Sequence, residues 1–481
     1  MTTTEPAIGS IRSHGPSVQD LHAAETRVVP PALLDHSYVA QGMADVPKTR
    51  YTSAQYAALE NEYMWTQTWQ MACTVDEVLE PGDHVVYDVA DQSVIVTRTK
   101  SGELKAYYNS CLHRGTKLRV DDGRVASFRC PFHGWKWDLD GNLIELPAEW
   151  DFPHVWQQPN SCLPQAQVAT WGGFVFVNLD PTAESFEKVA HKMIEHFSIS
   201  FGIENRYKAF HAVKEVPANW KVCMEAFGEG YHVIATHPQI VEFAGDANSE
   251  YSIWPDSPYV TRFVNSFGIQ SPHLAPISEQ QVADAYFAFS ARSPRGAVEV
   301  PEGETARQVV AQAFRSALSP VLGIDLGDVS DTEILDAHLY HLYPAFAPWA
   351  GVGQSLTYRW RPGPTPDTCF MDVLRMMPVP DGQERPAPAP IQRLRLDQSW
   401  KEAEGMGGLA DVFEQDMANL PKVQLGLKVR TPHNKQSVSF GNYQEARLRM
   451  AQRLTDELIL EGLQRDGRSR AEVEPFLIPN G

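Results

Sequence analysis

The stretches Cys111-Leu-His113-Arg-Gly and Cys130-Pro-Phe-His133-Gly decide how the fold of this 481-residue chain is interpreted. Sixteen residues separate His113 from Cys130. Each stretch supplies one thiol and one imidazole, followed by a glycine, which allows the backbone to approach a bulky group closely. The pattern predicts four metal ligands at the tips of two neighbouring turns.

The order of these ligands separates two interpretations. Two cysteines and two histidines can form a tetrahedral zinc site, but zinc modules usually present a cysteine pair and then a histidine pair. Here each turn supplies one cysteine and one histidine. This order lets one iron of a [2Fe-2S] cluster bind both thiolates while the other binds both imidazoles, which is the arrangement of a Rieske centre. The order favours the cluster, with zinc as the alternative.

Short runs rich in β-branched and aromatic residues surround the two turns. They occupy residues 84–89, 93–98, 104–109, 127–130, 135–138 and 173–179, with Asp-Gln, Ser-Gly and Asp-Gly turns between several of them. Such runs predict antiparallel strands, so we expect an all-β unit over residues 67–178.

The remainder of the chain predicts a larger α+β region. Residues 1–45 are polar and interrupted by prolines and glycines, which predicts a flexible N-terminal arm. A helix is expected within residues 46–66, packed on the larger domain, which occupies residues 179–481. Within that domain, residues 240–340 are interpreted as a long mixed insertion.

Composition excludes several classes of protein. Lys and Arg number 41 against 60 Asp and Glu, a formal charge of −19, so nucleic acid and anionic membrane surfaces are unfavourable partners. The sequence contains no apolar run near the ~18 residues of a membrane span. Six cysteines are too few for a disulfide scaffold in a chain of this length. We expect a cytoplasmic protein.

A second set of metal ligands is predicted in residues 219–238, NWKVCMEAFGEGYHVIATHP. A helix over residues 220–236 would place Glu225, Glu229 and His232 on one face. His237 is out of register with that face, but Pro238 disfavours helix at the preceding residue and predicts a bend. The bend would bring both imidazoles together.

Two imidazoles leave a divalent iron short of the carboxylate that completes a 2-His-1-carboxylate triad. Asp416 is the candidate, because it lies on the apolar face of a helix predicted over residues 409–420. A carboxylate on such a face needs a compensating charge. A salt-bridged core aspartate is the alternative interpretation.

Taken together, these motifs resemble one family. Cys-x-His-Arg-Gly, Cys-x-x-His-Gly-Trp, Asn-Trp-Lys, Glu-x-Tyr-His-x₄-His-Pro and Glu-Gln-Asp-Met-Ala-Asn-Leu occur in the order found in the catalytic α subunit of Rieske non-haem iron ring-hydroxylating oxygenases. The resemblance covers roughly residues 50–465. It implies that Cys111, His113, Cys130 and His133 bind the cluster, and that His232, His237 and Asp416 bind the mononuclear iron.

The resemblance also assigns a role to Glu229. In the family, a carboxylate three residues before the first iron histidine connects that histidine to a cluster histidine of the neighbouring subunit. Glutamate at this position resembles the branch that contains choline, betaine and carnitine monooxygenases, whereas aspartate is commoner in ring dioxygenases.

The implied fold is α+β: a Rieske [2Fe-2S] antiparallel β-sandwich and a helix-grip catalytic domain, in which a curved antiparallel sheet surrounds a long helix. The implied cofactors are the [2Fe-2S] cluster and a mononuclear Fe(II). Electrons would come from NAD(P)H through a separate flavin reductase, with or without a ferredoxin, because the sequence carries no nicotinamide or flavin fingerprint. Relatives form homotrimers or α3β3 assemblies with a small β subunit.

The substrate is the least constrained prediction. The main hypothesis is hydroxylation or dihydroxylation of an aromatic or other hydrophobic molecule by O2, and the alternative is monooxygenation of a quaternary ammonium or N-methyl compound. Aromatic residues within 240–340 would either line a pocket or form the core of that segment; they are Phe243, Trp254, Tyr259, Phe263, Phe267, Phe287 and Phe289. A different class of function is also considered: an electron carrier that has a Rieske cluster but no mononuclear iron site.

Overall fold

The computed structural model describes residues 13–156, 161–200, 202–290, 298–352, 356–379, 382–430 and 436–479. Its α-helices are α1 (Val18–Ala24), α2 (Pro31–Leu34), α3 (Thr49–Thr52), α4 (Ala54–Tyr63), α5 (Pro153–Trp156), α6 (Phe186–Val189), α7 (His191–Ser200), α8 (Trp220–Ala226), α9 (Val233–Thr236), α10 (Glu279–Phe289), α11 (Ala306–Leu322), α12 (Asp331–Leu335), α13 (Leu409–Met417), α14 (Leu420–Leu427) and α15 (Ala446–Arg465). Among them, none combines the length and the apolar character that a membrane span requires.

The β-strands are β1 (Val46–Pro47), β2 (Gln70–Thr74), β3 (Asp83–Val89), β4 (Gln92–Arg98), β5 (Leu104–Tyr108), β6 (Gly123–Arg124), β7 (Phe128–Arg129), β8 (Lys136–Trp137), β9 (Leu143–Glu145), β10 (Gln165–Trp171), β11 (Phe174–Asn178), β12 (Arg206–Val216), β13 (Glu250–Ile253), β14 (Val260–Asn265), β15 (Ala337–Leu342), β16 (Phe346–Ala350), β17 (Leu356–Pro362), β18 (Cys369–Pro378), β19 (Gln392–Leu394) and β20 (Ser437–Val438). β1 pairs with β20.

The first unit is the predicted β-sandwich. Its larger sheet has the strand order β2-β11-β10-β5-β4-β3-β6, with antiparallel pairing throughout, and its smaller sheet is β7-β8-β9. Ile95 and Tyr107 of the larger sheet share a buried core with Phe128 and Trp137 of the smaller one. The two Cys/His stretches connect β5 to β6 and β7 to β8, so both turns belong to this unit.

The second unit is built on an eight-stranded sheet with the order β13-β14-β15-β16-β17-β18-β12-β19. All neighbours are antiparallel except β12 and β19. Every residue of β14 and β15 is buried, as expected when both faces of a sheet are covered. The long helix α15 packs on β13, and α8 packs on β17 and β18. This is the expected helix-grip arrangement.

The predicted helix over residues 220–236 is wrong in its middle. α8 ends at Ala226, residues 227–232 form turns, and α9 begins at Val233. Gly228 and Gly230 explain the break, because glycine is unfavourable in helices and because both positions are crowded. A Cβ at Gly228 would lie 2.5 Å from Cδ2 of Leu448. Glu225, Glu229 and His232 therefore do not share a helical face.

A second predicted helix is shorter than expected. The helix expected over residues 409–420 ends with α13 at Met417. Pro421 then lies in the first turn of α14, where its missing N–H costs no hydrogen bond. The last helix, α15, begins at Ala446 and continues to Arg465.

Residues 240–340 are not a single insertion. β13, β14 and β15 belong to the central sheet, and Trp254 and Phe263 lie in the main cores. α10 and α11 enclose a separate core that contains Phe243. The interpretation that these aromatic side chains form cores therefore fits better than a pocket wall.

The described part of the N-terminal arm packs on the second unit. Arg27 donates through Nε to the carbonyl of Gly327 at 2.8 Å, and Gln19 donates to Glu250 at 2.9 Å. Residues 1–12 of the predicted arm lie outside the described residues. The expected helix within residues 46–66 is α4, whose Tyr63 packs with α15 in a shared core.

Candidate metal centres

The two Cys/His turns have the same backbone geometry. The N–H of Cys111 donates to the carbonyl of Thr116 at 2.9 Å, and the N–H of Cys130 donates to the carbonyl of Trp135 at 2.7 Å. The glycine of each turn donates its N–H to the cysteine carbonyl, at 2.9 and 3.1 Å, and adopts a left-handed φ of +75° or +81°. These glycines close the turns in a conformation that other residues adopt with difficulty.

Both cysteines are buried, and backbone N–H groups hydrogen-bond to their sulfur atoms. Burial raises the pKa of Cys111, although the N–H of His113 opposes that change. At Cys130, burial also disfavours the thiolate, but the N–H groups of Phe132 and His133 lower the pKa below its ordinary value. N–H donors of this kind stabilise thiolates and help to set the potential of an iron–sulfur cluster.

The two imidazoles of these turns lie beside each other. The ring centroids of His113 and His133 are 4.6 Å apart, and His113 stacks on Trp135 at 5.1 Å. Nδ1 of His113 is buried without a hydrogen-bond partner among the described residues. A buried, unpaired polar atom is costly unless it binds a ligand. These four residues fit a [2Fe-2S] cluster.

The second centre brings together the three predicted iron ligands. Nε2 of His237 lies 3.2 Å from Oδ1 of Asp416, and Nε2 of His232 lies 3.8 Å from the same oxygen. One ligand atom from each of the three residues lies within 4.8 Å of the others. His232 ends the turns after α8, His237 follows α9, and Asp416 lies in α13. His237 leaves the helical conformation after α9, with φ −122° and ψ 55°, as the predicted bend before Pro238 requires.

Each histidine of this centre is oriented by a side-chain acceptor. Nδ1 of His232 lies 2.8 Å from Oε1 of Glu229, whose other oxygen accepts the N–H of His232 at 3.0 Å. Nδ1 of His237 lies 2.8 Å from Oε1 of Gln415. Both acceptors select the tautomer with a free Nε2, the nitrogen that faces Asp416. Such partners usually accompany metal-binding histidines.

Charge and exposure at this centre suit a cation. Burial alone would lower the pKa of His232, but its hydrogen bond to Glu229 and the charges of Glu229 and Asp416 raise it. The side chains of His237 and Asp416 are 5% and 6% exposed, whereas that of His232 is 26% exposed. One carboxylate and two imidazoles, with a more open side beside His232, fit a divalent iron that keeps positions for other ligands.

Sequence reasoning missed Gln415 and Gln239. Gln239 donates to Oε1 of Gln415 at 2.8 Å, and Gln415 donates to Oε1 of Gln239 at 3.2 Å. The only available signal was position, because Gln415 directly precedes Asp416 and Gln239 lies two residues after His237. A glutamine at either position is not recognisable as a hydrogen-bond partner of a metal-binding histidine from a single sequence.

The fold and the two centres define a class of protein, a Rieske iron–sulfur domain joined to a non-haem iron catalytic domain. Residues 68–157 match the family model described as the Rieske [2Fe-2S] domain. Residues 203–461, more than half of the chain, match the model described as the ring hydroxylating alpha subunit (catalytic domain). The chain therefore belongs to the ring-hydroxylating alpha subunit family, and the predicted family is confirmed.

Curated relatives of known activity match part of the chain. The carnitine monooxygenase oxygenase subunit of Acinetobacter baumannii is 32% identical over 194 residues, which are 40% of this chain and 52% of that protein. The glycine betaine monooxygenase oxygenase subunit of Pseudomonas aeruginosa is 27% identical over 213 residues, 43% and 47% of the two chains. The chlorobenzene dioxygenase subunit alpha of a Cupriavidus species is 30% identical over 194 residues, 39% and 42%. The chain spans about half the length of the curated relatives it matches.

Solved structures show the same fold over most of the chain. A quaternary ammonium Rieske monooxygenase in complex with L-carnitine aligns with a TM-score of 0.59 at 20% identity, covering 86% of this chain and 95% of the other. Naphthalene 1,2-dioxygenase bound to phenanthrene aligns with a TM-score of 0.59 at 17% identity, covering 91% and 96%. The expected α+β architecture is confirmed.

Proposed function

We propose that this chain is the terminal oxygenase of a multicomponent Rieske oxygenase system, which uses O2 and externally supplied electrons to oxidise a small organic substrate. The observation that carries the proposal is the presence of two separate ligand sets in one chain. The Cys/His turns supply an electron-transfer site, and His232, His237 and Asp416 supply a second site. A Rieske electron carrier has no need of that second site.

The residues of the second site have separable roles in this proposal. Iron bound there supplies the chemistry of dioxygen reduction. Asp416 contributes the negative charge of the ligand set. Glu229 and Gln415 hold the two imidazoles in the tautomer that leaves Nε2 free. The more open side next to His232 leaves room for substrate and O2.

Electron supply and assembly are part of the same proposal. A flavin reductase, alone or with a ferredoxin, would pass electrons from NAD(P)H to the cluster. Glu229 would connect the cluster of one subunit to the iron site of the next in a homotrimer or α3β3 assembly. Its carboxylate already accepts two hydrogen bonds from His232, so it is in place on the iron side of such a connection.

Two substrate classes follow from different observations. Oxidation of an aromatic or other hydrophobic molecule agrees with the similarity to chlorobenzene and naphthalene dioxygenases. Monooxygenation of a quaternary ammonium or N-methyl compound agrees with glutamate at position 229 and with the similarity to carnitine and glycine betaine monooxygenases. Analysis of products distinguishes them, because ring attack yields a hydroxylated ring or a cis-diol and oxidation beside nitrogen releases an aldehyde.

The proposal is tested by metal content together with oxygen uptake. We expect about three irons and two acid-labile sulfides per chain, since a Rieske cluster and a mononuclear site are both present. Asp416→Ala and His232→Ala should each lose about one iron per chain, retain the visible absorbance of the cluster, and lose substrate-dependent oxygen uptake. Asp411→Asn is the matched control, because Asp411 lies on the same helix with its side chain 72% exposed.

Three outcomes contradict the proposal. Two irons in the wild type would indicate an electron carrier, and zinc without sulfide would indicate a zinc module. Undiminished oxygen uptake in His232→Ala would show that the iron site lies elsewhere.

A further inference from the structure

Two aromatic side chains cover one of the two histidines of the Cys/His turns. The ring of Trp135 is nearly parallel to that of His113, with 6° between the planes and 5.1 Å between the centroids. Phe152 meets the same imidazole edge-on at 5.6 Å and meets Trp135 edge-on at 5.4 Å. The three rings therefore form one packed group, in arrangements that aromatic pairs favour.

Phe152 belongs to a segment outside the two turns. It lies between β9 and β10, directly after the 3-10 helix Glu149–Asp151. The N–H of Phe152 donates to the carbonyl of Glu149 at 3.0 Å, and the carbonyl of Phe152 accepts the N–H of Val155 at 3.0 Å. Pro147 of this segment lies against the second turn, since a Cβ at Gly134 would be 3.4 Å from its Cγ. Backbone hydrogen bonds and packing thus fix Phe152 beside the turns.

The same segment exposes one aromatic ring and turns the other inward. Trp150 is 80% exposed. Phe152 is partly buried and packs against the core that contains both Cys111 and Cys130. His113 is likewise partly buried, whereas His133 of the other turn is exposed. Phe152 is therefore the outer layer of that core on the His113 side, and removing its ring would open His113 to water.

Exclusion of water has a definite effect on an iron–sulfur cluster held by these turns. An oxidised [2Fe-2S] cluster with two thiolates and two neutral imidazoles is electrically neutral, because its sulfides and thiolates balance the two ferric ions. It becomes negative when it accepts one electron. A negative charge is less stable in apolar surroundings than in water, and solvent exposure is among the factors that set the potential of such clusters. An apolar cover therefore lowers the reduction potential.

We propose that Phe152 is a positioning residue that excludes water from His113 and thereby lowers the reduction potential of the Rieske cluster. The inference rests on the proposed electron-transfer role of the Cys/His turns. It goes beyond that role because it assigns control of the potential to a residue outside the ligand set. A lower potential increases the driving force with which an electron leaves the turns.

A redox titration of the cluster-loaded protein tests the inference without turnover. Dithionite supplies one electron per cluster in the presence of mediators, and the electron paramagnetic resonance signal of the reduced cluster is followed against the potential at one fixed pH. Phe152→Ala should raise the midpoint by about 59 mV, which corresponds to a tenfold larger ratio of reduced to oxidised cluster at the wild-type midpoint.

Two variants separate exclusion of water from a general effect on the fold. Phe152→Leu keeps a large apolar side chain and should retain the wild-type potential. Trp150→Ala is the matched control, because it removes a ring of the same segment that is 80% exposed, and it should also retain the potential. Pulsed resonance spectra in D2O should show additional exchangeable deuterons near the reduced cluster in Phe152→Ala but not in either of these variants.

The inference is overturned if Phe152→Ala keeps the cluster and the wild-type potential, or if Trp150→Ala raises the potential by the same amount. If Phe152→Ala does not keep the cluster, Phe152→Val takes its place and should give a smaller rise, and an unchanged potential in Phe152→Val would then refute the inference. Failure of the proposed function is distinguishable, because it would leave the wild type without a sulfide-containing cluster to titrate.

Discussion

Hydrogen bonds to individual nitrogen atoms determine what the proposed mononuclear site can bind. A neutral imidazole offers a lone pair on only one nitrogen, and the acceptor at the other nitrogen decides which one. Glu229 and Gln415 take that role for His232 and His237. The two acceptors differ in charge, so His232 should be the more strongly polarised ligand.

Gln415→Ala should weaken iron binding by about 10- to 100-fold, because His237 loses the acceptor that orients its ring. The measurement is the retention of mononuclear iron during dialysis against a chelator, with cluster absorbance as an internal reference. Gln415→Glu retains an acceptor and should retain iron. Gln239→Ala is the matched control, since it leaves the bond between His237 and Gln415 intact, and equal iron loss in this variant would contradict the assigned role.

Among the secondary-structure elements, α8 connects the proposed iron site to the rest of the protein through buried polar contacts. Glu225, on α8, accepts hydrogen bonds from the hydroxyl of Tyr51 at 3.0 Å and from Nε2 of Gln452 at 2.5 Å. Lys221, also on α8, pairs with Glu60 of α4 at 2.6 Å. These contacts join α8 to α3, α4 and α15 before the chain breaks at Gly228. They hold in place the end of α8, from which the ligand turns begin.

The shifted pKa of the buried Glu225 carboxyl predicts that the stability of the fold depends on pH. Burial raises its pKa from 4.5 to about 7, and the hydrogen bonds from Gln452 and Tyr51 together with the charge of Lys221 oppose this increase. Glu445 reinforces it. The folded chain therefore holds the proton more tightly than the unfolded chain, so the contribution of Glu225 to stability is present below pH 4.5 and is lost as pH rises through 7.

Glu225→Gln lacks this titration. Between pH 4.5 and 7, the free energy of unfolding of the variant should improve relative to the wild type by on the order of 3 kcal/mol. Urea unfolding at several pH values measures the difference. Glu187→Gln, at an exposed position of α6, is the control. Parallel stability curves for wild type and Glu225→Gln would refute the prediction.

In the whole molecule, the Cys/His turns lie on the β-sandwich unit and the second centre lies on the larger unit, and the two centres differ in exposure to solvent. His133 is exposed, and the adjacent Phe132 is 58% exposed, whereas His237 and Asp416 are buried at the second centre. An electron from another protein can therefore reach the cluster turns more readily than it can reach the proposed iron ligands. This arrangement agrees with the proposed transfer from the cluster of one subunit to the iron of the next.

Complementation between inactive subunits tests that transfer. Cys130→Ser removes a proposed cluster ligand and Asp416→Ala removes a proposed iron ligand, so each homo-oligomer should be inactive. Co-expressed subunits should recover about a quarter of wild-type oxygen uptake, because a random neighbouring pair in the proposed cyclic trimer combines an intact cluster with an intact iron site one time in four. Mass spectrometry verifies that mixed oligomers form. Inactive mixed oligomers would exclude transfer between subunits.

The sequence was sufficient for the family and the α+β fold and for the choice of candidate ligands, because thiol, imidazole and carboxylate groups at characteristic spacings are local properties. It placed Cys111, His113, Cys130 and His133 on turns of the β-sandwich, and it selected Asp416 from an apolar helical face. These residues could be chosen without knowing the rest of the fold.

Only the tertiary structure decided how the second centre is assembled. The chain forms turns after Ala226 and does not continue the predicted helix. The side chain of Leu448 leaves no space for a side chain at Gly228. Gln415 becomes a partner of His237 through a contact between residues 178 positions apart. Contacts between distant segments depend on how the whole chain packs, and this packing cannot be inferred from the spacing of residues within one short segment.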